Sequence, residues 1–283
     1  NSDSAGSPQN ILLSDSTLRE SDTSDQVKKD LFCPEDCIEN NSDQRDFCHR
    51  NPNDYIDCPK PSRQETVDGS YMIRCTYNMH NAPLCSETHF NADREPIGTA
   101  HLYYPSGSIW QEISYKGGLI QGTVQEYYES GLLKSETPYQ KGLRSGIQKN
   151  YMDTDYSETE YNLAIGLGAM FGGDYERMKT QENCLLKYKR KRLLESETHY
   201  RNGKRSGVRD TFFHPCDSRG GKVQKREPYQ DDLLEGNVLE FYPGGRRKSI
   251  VEYRKGVATG MKICYDKTGK ISKRGTPDIE CPR

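Results

Sequence analysis

The chain has 283 residues, of which 32% are hydrophobic, and its mean hydropathy is −0.97. So little apolar material excludes a thick globular core, while 19 tyrosines argue against a chain that never folds, because Tyr fills strands with its ring packed and its hydroxyl wet. A formal net charge of −2 gives no global attraction to nucleic acid or anionic membrane, and no apolar run approaches the ~20 residues of a membrane helix.

Residues 1–30 are rich in Ser and Asp and read as a flexible tether. A cysteine-rich module follows over 31–97, with Cys33, Cys37, Cys48, Cys58, Cys75 and Cys85; Cys184, Cys216, Cys264 and Cys281 complete ten. The even count makes all ten disulfide candidates and places the protein in the periplasm, in secretion or at the cell surface, with the pairing left open. A zinc site at Cys33, Cys37, Cys48 and His49 is the competing reading. No CxxC pair is present to support it, so no metal is expected. With no export signal visible before Asn1, export is inferred from the cysteines, and a lipid anchor upstream is compatible with it. Asn40-Asn41-Ser42 fits a glycosylation triplet, a pattern too common to carry weight.

From Gly98 the chain turns periodic. GTAHLYYPSGSIWQEISYKGGLIQ is followed by GTVQEYYESGLLKSETPYQKGLRS from Gly122, and GIQKNYM restarts at Gly146. The 24-residue unit returns as GNVLEFYPGGRRKSIVEYRKGVAT from Gly236 and GMKICYDKTGKI from Gly260. Two more copies fit with insertions, one ending LLESETHYRNGKRS and one starting GVRDTFFHPC at Gly207. About seven copies align an aromatic at the sixth position: Tyr103, Tyr127, Tyr151, Tyr188, Phe212, Phe241 and Tyr265. Within a copy the period is two, which predicts strands. Ile109, Gln111, Ile113 and Tyr115 share one face, and Trp110, Glu112 and Ser114 the other. Gly107, Gly131, Gly245 and Gly269 mark a hairpin turn, and Gly118, Gly142, Gly203 and Gly256 a second turn that leads onward. Stacked neighbours supply the core that no single copy can build.

The hairpin YY-x-SG-x-L followed by E-x-x-Y-x-x-G-x-x-x-G resembles the bacterial variant of the MORN repeat over about 98–275. That resemblance implies a mainly β fold: an elongated single-layer antiparallel sheet of tandem hairpins over 98–283, interrupted at about 155–186, behind a small disulfide-rich N-terminal module. The sequence lacks the Gly-x-Gly pair of the eukaryotic repeat, so lipid binding is not carried over. Proteins with the variant repeat are often labelled antitoxins, and exported relatives are expected to include immunity proteins.

The interruption holds the most apolar stretch of the chain, Tyr161 to Gly173, with Leu163, Ile165, Leu167, Met170 and Phe171 as candidate partner-binding residues. Folding back over the sheet is the competing reading. Gly166-x-Gly168 resembles a fragment of a dinucleotide fingerprint, but no βαβ unit surrounds it, and no cofactor is expected. Tyr104, Tyr128, Phe213 and Tyr242 must face away from the sixth-position column, where a second aromatic row would suit a protein partner. Residues 185–228 hold thirteen Lys/Arg against five Asp/Glu, and 1–60 thirteen Asp/Glu against six Lys/Arg. The basic run suits either an acidic partner or a solvated sheet face. None of the six histidines falls in a catalytic pair, no GxSxG elbow occurs, and Cys216 of His214-Pro215-Cys216 reads as half a disulfide. The expectation is a non-enzymatic, exported protein-binding repeat, an immunity factor that occludes a toxin or effector. A structural or adhesive spacer is the alternative, and an enzyme hidden in 31–97 a third reading.

Overall fold

The protein is described by a computed structural model over residues 60–77, 81, 83–155, 183–217 and 221–282. Nineteen strands form one open antiparallel sheet, a meander in which each strand pairs with its neighbours in sequence. Seven hairpins make up the sheet among the described residues. The first joins β2 (Tyr71–Thr76) to β3 (Leu84–Phe90), with β1 (Lys60–Glu65) paired outside it. The second and third are β4 (Pro96–Tyr103) with β5 (Ile109–Lys116), and β7 (Gly122–Tyr127) with β8 (Leu133–Gln140). The fourth and fifth are β10 (Gly146–Tyr151) with β11 (Leu194–Arg201), and β12 (Lys204–Phe212) with β13 (Val223–Gln230). The sixth and seventh are β15 (Gly236–Phe241) with β16 (Arg247–Arg254), and β18 (Lys262–Tyr265) with β19 (Ile271–Gly275). Two-residue return strands lead onward from four hairpins: β6 (Leu119–Ile120), β9 (Leu143–Arg144), β14 (Leu233–Leu234) and β17 (Val257–Ala258). After the fourth, the return is continuous with β12.

Three expectations change. Among the described residues the sheet starts at Lys60, so β1 to β3 lie inside the stretch assigned to the cysteine-rich module. Strand β10 pairs with β11 over Gly146↔Tyr200 to Tyr151↔Leu194, so the copies placed at Gly146 and around Tyr188 are one hairpin. Tyr188 ends a helical turn over 183–188 and leaves the sixth-position column. The total of seven survives because one copy is lost there and one gained upstream.

The third change is a β-bulge at the same place in every hairpin. Leu102 faces Gln111 but Tyr103 faces Ile109, which leaves Trp110 as the extra residue. The same skip leaves out Cys85, Lys134, Glu195, Gln224, Lys248 and Ser272. A bulged residue shares a side with its successor, so strict alternation fails between the two and the residues before them turn to the other face. Trp110 therefore meets Tyr104 at 6.3 Å instead of sitting on the Glu112 face.

Beyond the bulge the alternation holds. The cross-strand pairs Ala100–Ile113, Val124–Thr137 and Val238–Val251 are buried on one face. Fully burying Ile113 contributes roughly 2 kcal/mol. The row is thin and partly polar: Ser135, Ser196, Thr198 and Ser249 are also buried. In the fifth hairpin Glu227 takes the place that Ile113 and Val251 hold elsewhere. Arg209 across from it at 3.6 Å and Lys225 at 2.7 Å compensate its charge. At Gly207, with φ +122, an added Cβ would lie 2.9 Å from the His199 side chain, so only glycine lets the hairpins approach this closely.

Candidate functional site

The hairpin turns line one edge of the sheet, and the seventh residue of each copy closes its turn there. The amides of Tyr104, Tyr128 and Tyr242 donate to Ser108, Leu132 and Arg246 carbonyls. Their phenols reach onward: Tyr104 Oη donates to the Tyr127 carbonyl (2.8 Å), Tyr128 Oη to Tyr151 (2.8 Å) and Tyr242 Oη to Tyr265 (2.7 Å). Tyr77 of the first hairpin reaches the Tyr103 carbonyl in the same way. The aromatic row expected opposite the sixth-position column therefore exists, but its tyrosines tie each copy to the next. Tyr242 is buried, at 6% exposure. Burial, and the carboxylates of Glu195, Asp153 and Glu126, push the Tyr128 phenol up to about 12, so it stays a donor at physiological pH.

Among the six hairpins that are followed by another, two break this row; the seventh hairpin carries Asp266 at this place. The seventh residue is Met152 in the fourth hairpin and Phe213 in the fifth, and neither has a hydroxyl to donate. These are also the two copies with long connections, 152–193 and 213–222. The amide of Met152 still donates to the Leu193 carbonyl (2.8 Å), as if it closed a short turn. Above it, buried Thr154 donates its hydroxyl to the Lys191 carbonyl (2.8 Å), the Arg190 amide donates to the Thr154 carbonyl (3.0 Å), and Arg190 pairs with Asp155 (2.7 Å). Cys184 is bonded to Cys216, which staples this connection to the fifth hairpin's turn, and Tyr188 meets His214 edge-on at 6.1 Å. Leu186 (52% exposed) and Lys187 face outward beside the staple.

Next to this pair lies a cavity of about 480 Å³. Phe213, Tyr242 and Pro243 are among its apolar walls, and Lys225, Glu240, Lys248 and Lys267 supply charge. Burial alone would raise the Glu240 carboxyl, but the Ser249 hydroxyl and the ammonium groups of Lys262, Lys248 and Lys225 together hold it below its ordinary value.

Residues 97–116 and 120–141 match the MORN repeat variant family. These are the second and third hairpins, two of the copies in which the phenol tie is intact and the turns are short. No curated protein matches the chain.

Ion pairs hold six of the thirteen basic residues of 185–228: Arg190, Arg192, Arg205, Arg209, Lys225 and Arg226. Arg192 bonds Glu136 and Tyr151; Arg205 pairs with Asp232 and Arg226 with Asp210. The face opposite the buried row carries the sixth-position tyrosines, with Tyr127 Oη on Glu112 (2.7 Å) and Tyr151 Oη on Glu136 (2.8 Å). Leu163, Ile165, Leu167, Met170 and Phe171, the Gly166-x-Gly168 pair, and Cys33, Cys37, Cys48 and Cys58 lie outside the described residues. Cys264 is bonded to Cys281, while Cys75 is buried in β2 and Cys85 half-buried in β3. Two disulfides suit an oxidising, extracellular environment. No helix among the described residues is long and apolar enough to cross a membrane. Sequence reasoning missed the first hairpin and the cavity. Its signal for the hairpin was available: Ser86-Glu87-Thr88-His89-Phe90 repeats the Ser196-Glu197-Thr198-His199-Tyr200 of β11.

Proposed function

We propose that this β-hairpin repeat protein is a non-enzymatic binder that engages a protein partner through the turn edge of its fourth and fifth hairpins. The finer reading is an exported immunity factor, periplasmic or secreted, that neutralises a toxin or effector by covering its active site. The observation that carries the binding reading is the coincidence at one edge of three departures from the repeat. The phenol row stops, the two long connections emerge, and Cys184–Cys216 joins them. Local rules broken together on an otherwise regular scaffold mark the place where function is built. The apolar segment that includes Leu163, Ile165, Leu167, Met170 and Phe171 falls in sequence within the longer of these connections, and its composition suits insertion into a partner's cleft. The MORN-variant resemblance and the disulfides support the immunity reading at the level of fold and compartment.

The test is capture of the partner with the full chain, followed by affinity measurement for a variant lacking 163–173. A one-to-one complex weakened at least a hundredfold, with the partner's activity restored, is the expected result. Unchanged affinity removes the plug mechanism, and a partner with no activity to inhibit removes the immunity role. The uniform spacing of the second and third hairpins favours the spacer alternative, under which no tight soluble complex forms at all.

A further inference from the structure

We propose that the cavity between the fifth and sixth hairpins receives a carboxylate side chain carried next to an aromatic residue on the protein partner. This rests on the protein-binding reading and names the chemistry that the edge selects. At about 480 Å³ the cavity falls within the range of ligand sites and holds two adjacent side chains. Its apolar walls, Phe213, Tyr242 and Pro243, suit a ring.

Its charge is unbalanced in one direction. Lys225 is held by Glu227 at 2.7 Å, and Glu240 by the Ser249 hydroxyl at 2.7 Å with Lys262 at 3.7 Å. Lys248 and Lys267 remain, and neither has an ion-pair partner among the described residues. Two ammonium groups without an ion pair, beside apolar walls, attract an anion attached to an apolar body. No arginine among the described residues lines the cavity; the nearby Arg246 guanidinium donates to the Lys267 carbonyl (2.9 Å). The described lining therefore offers point-charge lysines in place of the planar fork that favours phosphate, and these suit a single carboxylate.

The repeat explains why the space is there. In four copies a tyrosine phenol crosses to the next carbonyl along this edge. Phe213 occupies the equivalent place without a hydroxyl, so its ring serves as a wall where its counterparts make a tie. The partner's acidic group meets the two ammonium groups.

The experiment titrates the full chain with two short probes, acetyl-Trp-Glu-amide and acetyl-Trp-Gln-amide, by nuclear magnetic resonance, with inorganic phosphate as competitor. The glutamate probe should bind at least tenfold tighter than the glutamine probe. Lys248→Met with Lys267→Met, both solvent-side changes, should erase that difference. Phe213→Tyr should weaken the glutamate probe at least fivefold by restoring a phenol to the edge. Equal binding of the two probes, no binding of either, no change in the lysine double variant, or displacement by phosphate at equal concentration each overturns the assignment. Partner capture that survives the lysine double variant sinks the cavity alone. Failure of the 163–173 deletion to weaken capture sinks the plug mechanism and leaves the probe result standing.

Discussion

The two edges of the sheet hold the hairpins together by different chemistry. At the return edge a backbone amide donates to the preceding return-strand carbonyl in four successive copies: Gly142 to Ile120, Gly203 to Arg144, Asp232 to Arg205 and Gly256 to Leu234. Lys-Gly, Asn-Gly, Asp-Asp and Lys-Gly all serve there, because the tie needs only a turn with both central residues at positive φ. At the turn edge the tie is a tyrosine hydroxyl, and Met152 and Phe213 abolish it. A backbone tie survives side-chain drift, whereas a side-chain tie can be given up by one substitution. The turn edge is thus where this fold can be opened to new structure without losing its stack.

The sharpest way to break that comparison is to remove the staple. Cys184→Ser with Cys216→Ser should lower stability by about 3–4 kcal/mol, as expected for a closed loop of this length. The loss should concentrate in the fourth and fifth hairpins, measured as hydrogen-exchange protection there. Protection unchanged in those strands would mean that the two copies hold without compensation. Next in size is the return edge: Gly207→Ala should cost about 2–3 kcal/mol in denaturant unfolding, because a contact of 2.9 Å with His199 adds to the positive φ. Gly107→Ala, with nothing within 4 Å, carries the φ penalty alone, about 1 kcal/mol. Equal costs at the two sites would deny the close approach. Tyr128→Phe should cost about 1 kcal/mol through the orphaned tie. Phe213→Leu, where there is no tie to lose, should leave the hydrogen-bonded row unchanged.

The smallest effect is a pH dependence. Burial first, then the hydrogen bond to Glu112, pushes the Tyr127 phenol up to about 12, and Tyr128 is raised to about 12 as well. A phenol whose folded value exceeds its unfolded value near 10 favours the fold while neutral. That contribution is complete below about pH 10 and lost as pH rises toward 12. The melting temperature should fall through this window, and less steeply in a Tyr127→Phe, Tyr128→Phe double variant. Parallel curves would assign the alkaline loss to other groups.

The hairpins themselves were legible because Gly, aromatic and β-branched residues recur at fixed offsets, and the buried row at Ile113, Thr137, Thr198 and Val251 follows from period two. The bulge was not, since the residue it adds (Trp110, Lys134, Glu195, Gln224) has no common chemistry; only the strand register exposes it. The first hairpin escaped because Tyr71 stands where later copies have Gly, and Thr76 where they have an aromatic. Tyr188 was misplaced because a lone aromatic at the right offset imitates the column while its backbone turns helical. The site's location was half legible. The insertion was plain, but the meaning of Phe213 required knowing that its tyrosine counterparts bond a neighbouring carbonyl.

The recurring bulge has a consequence for how such a chain can lengthen. Each hairpin carries its own register mark, so copying one whole cassette, turn to turn, hands the next strand on with its inward residues still inward. Gaining or losing one residue within a strand would instead turn every side chain beyond it to the wrong side, up to the next turn. Duplication by cassette is therefore the cheap route to a longer array, and extra residues are tolerated where this chain already holds them, in the connections after Met152 and Phe213.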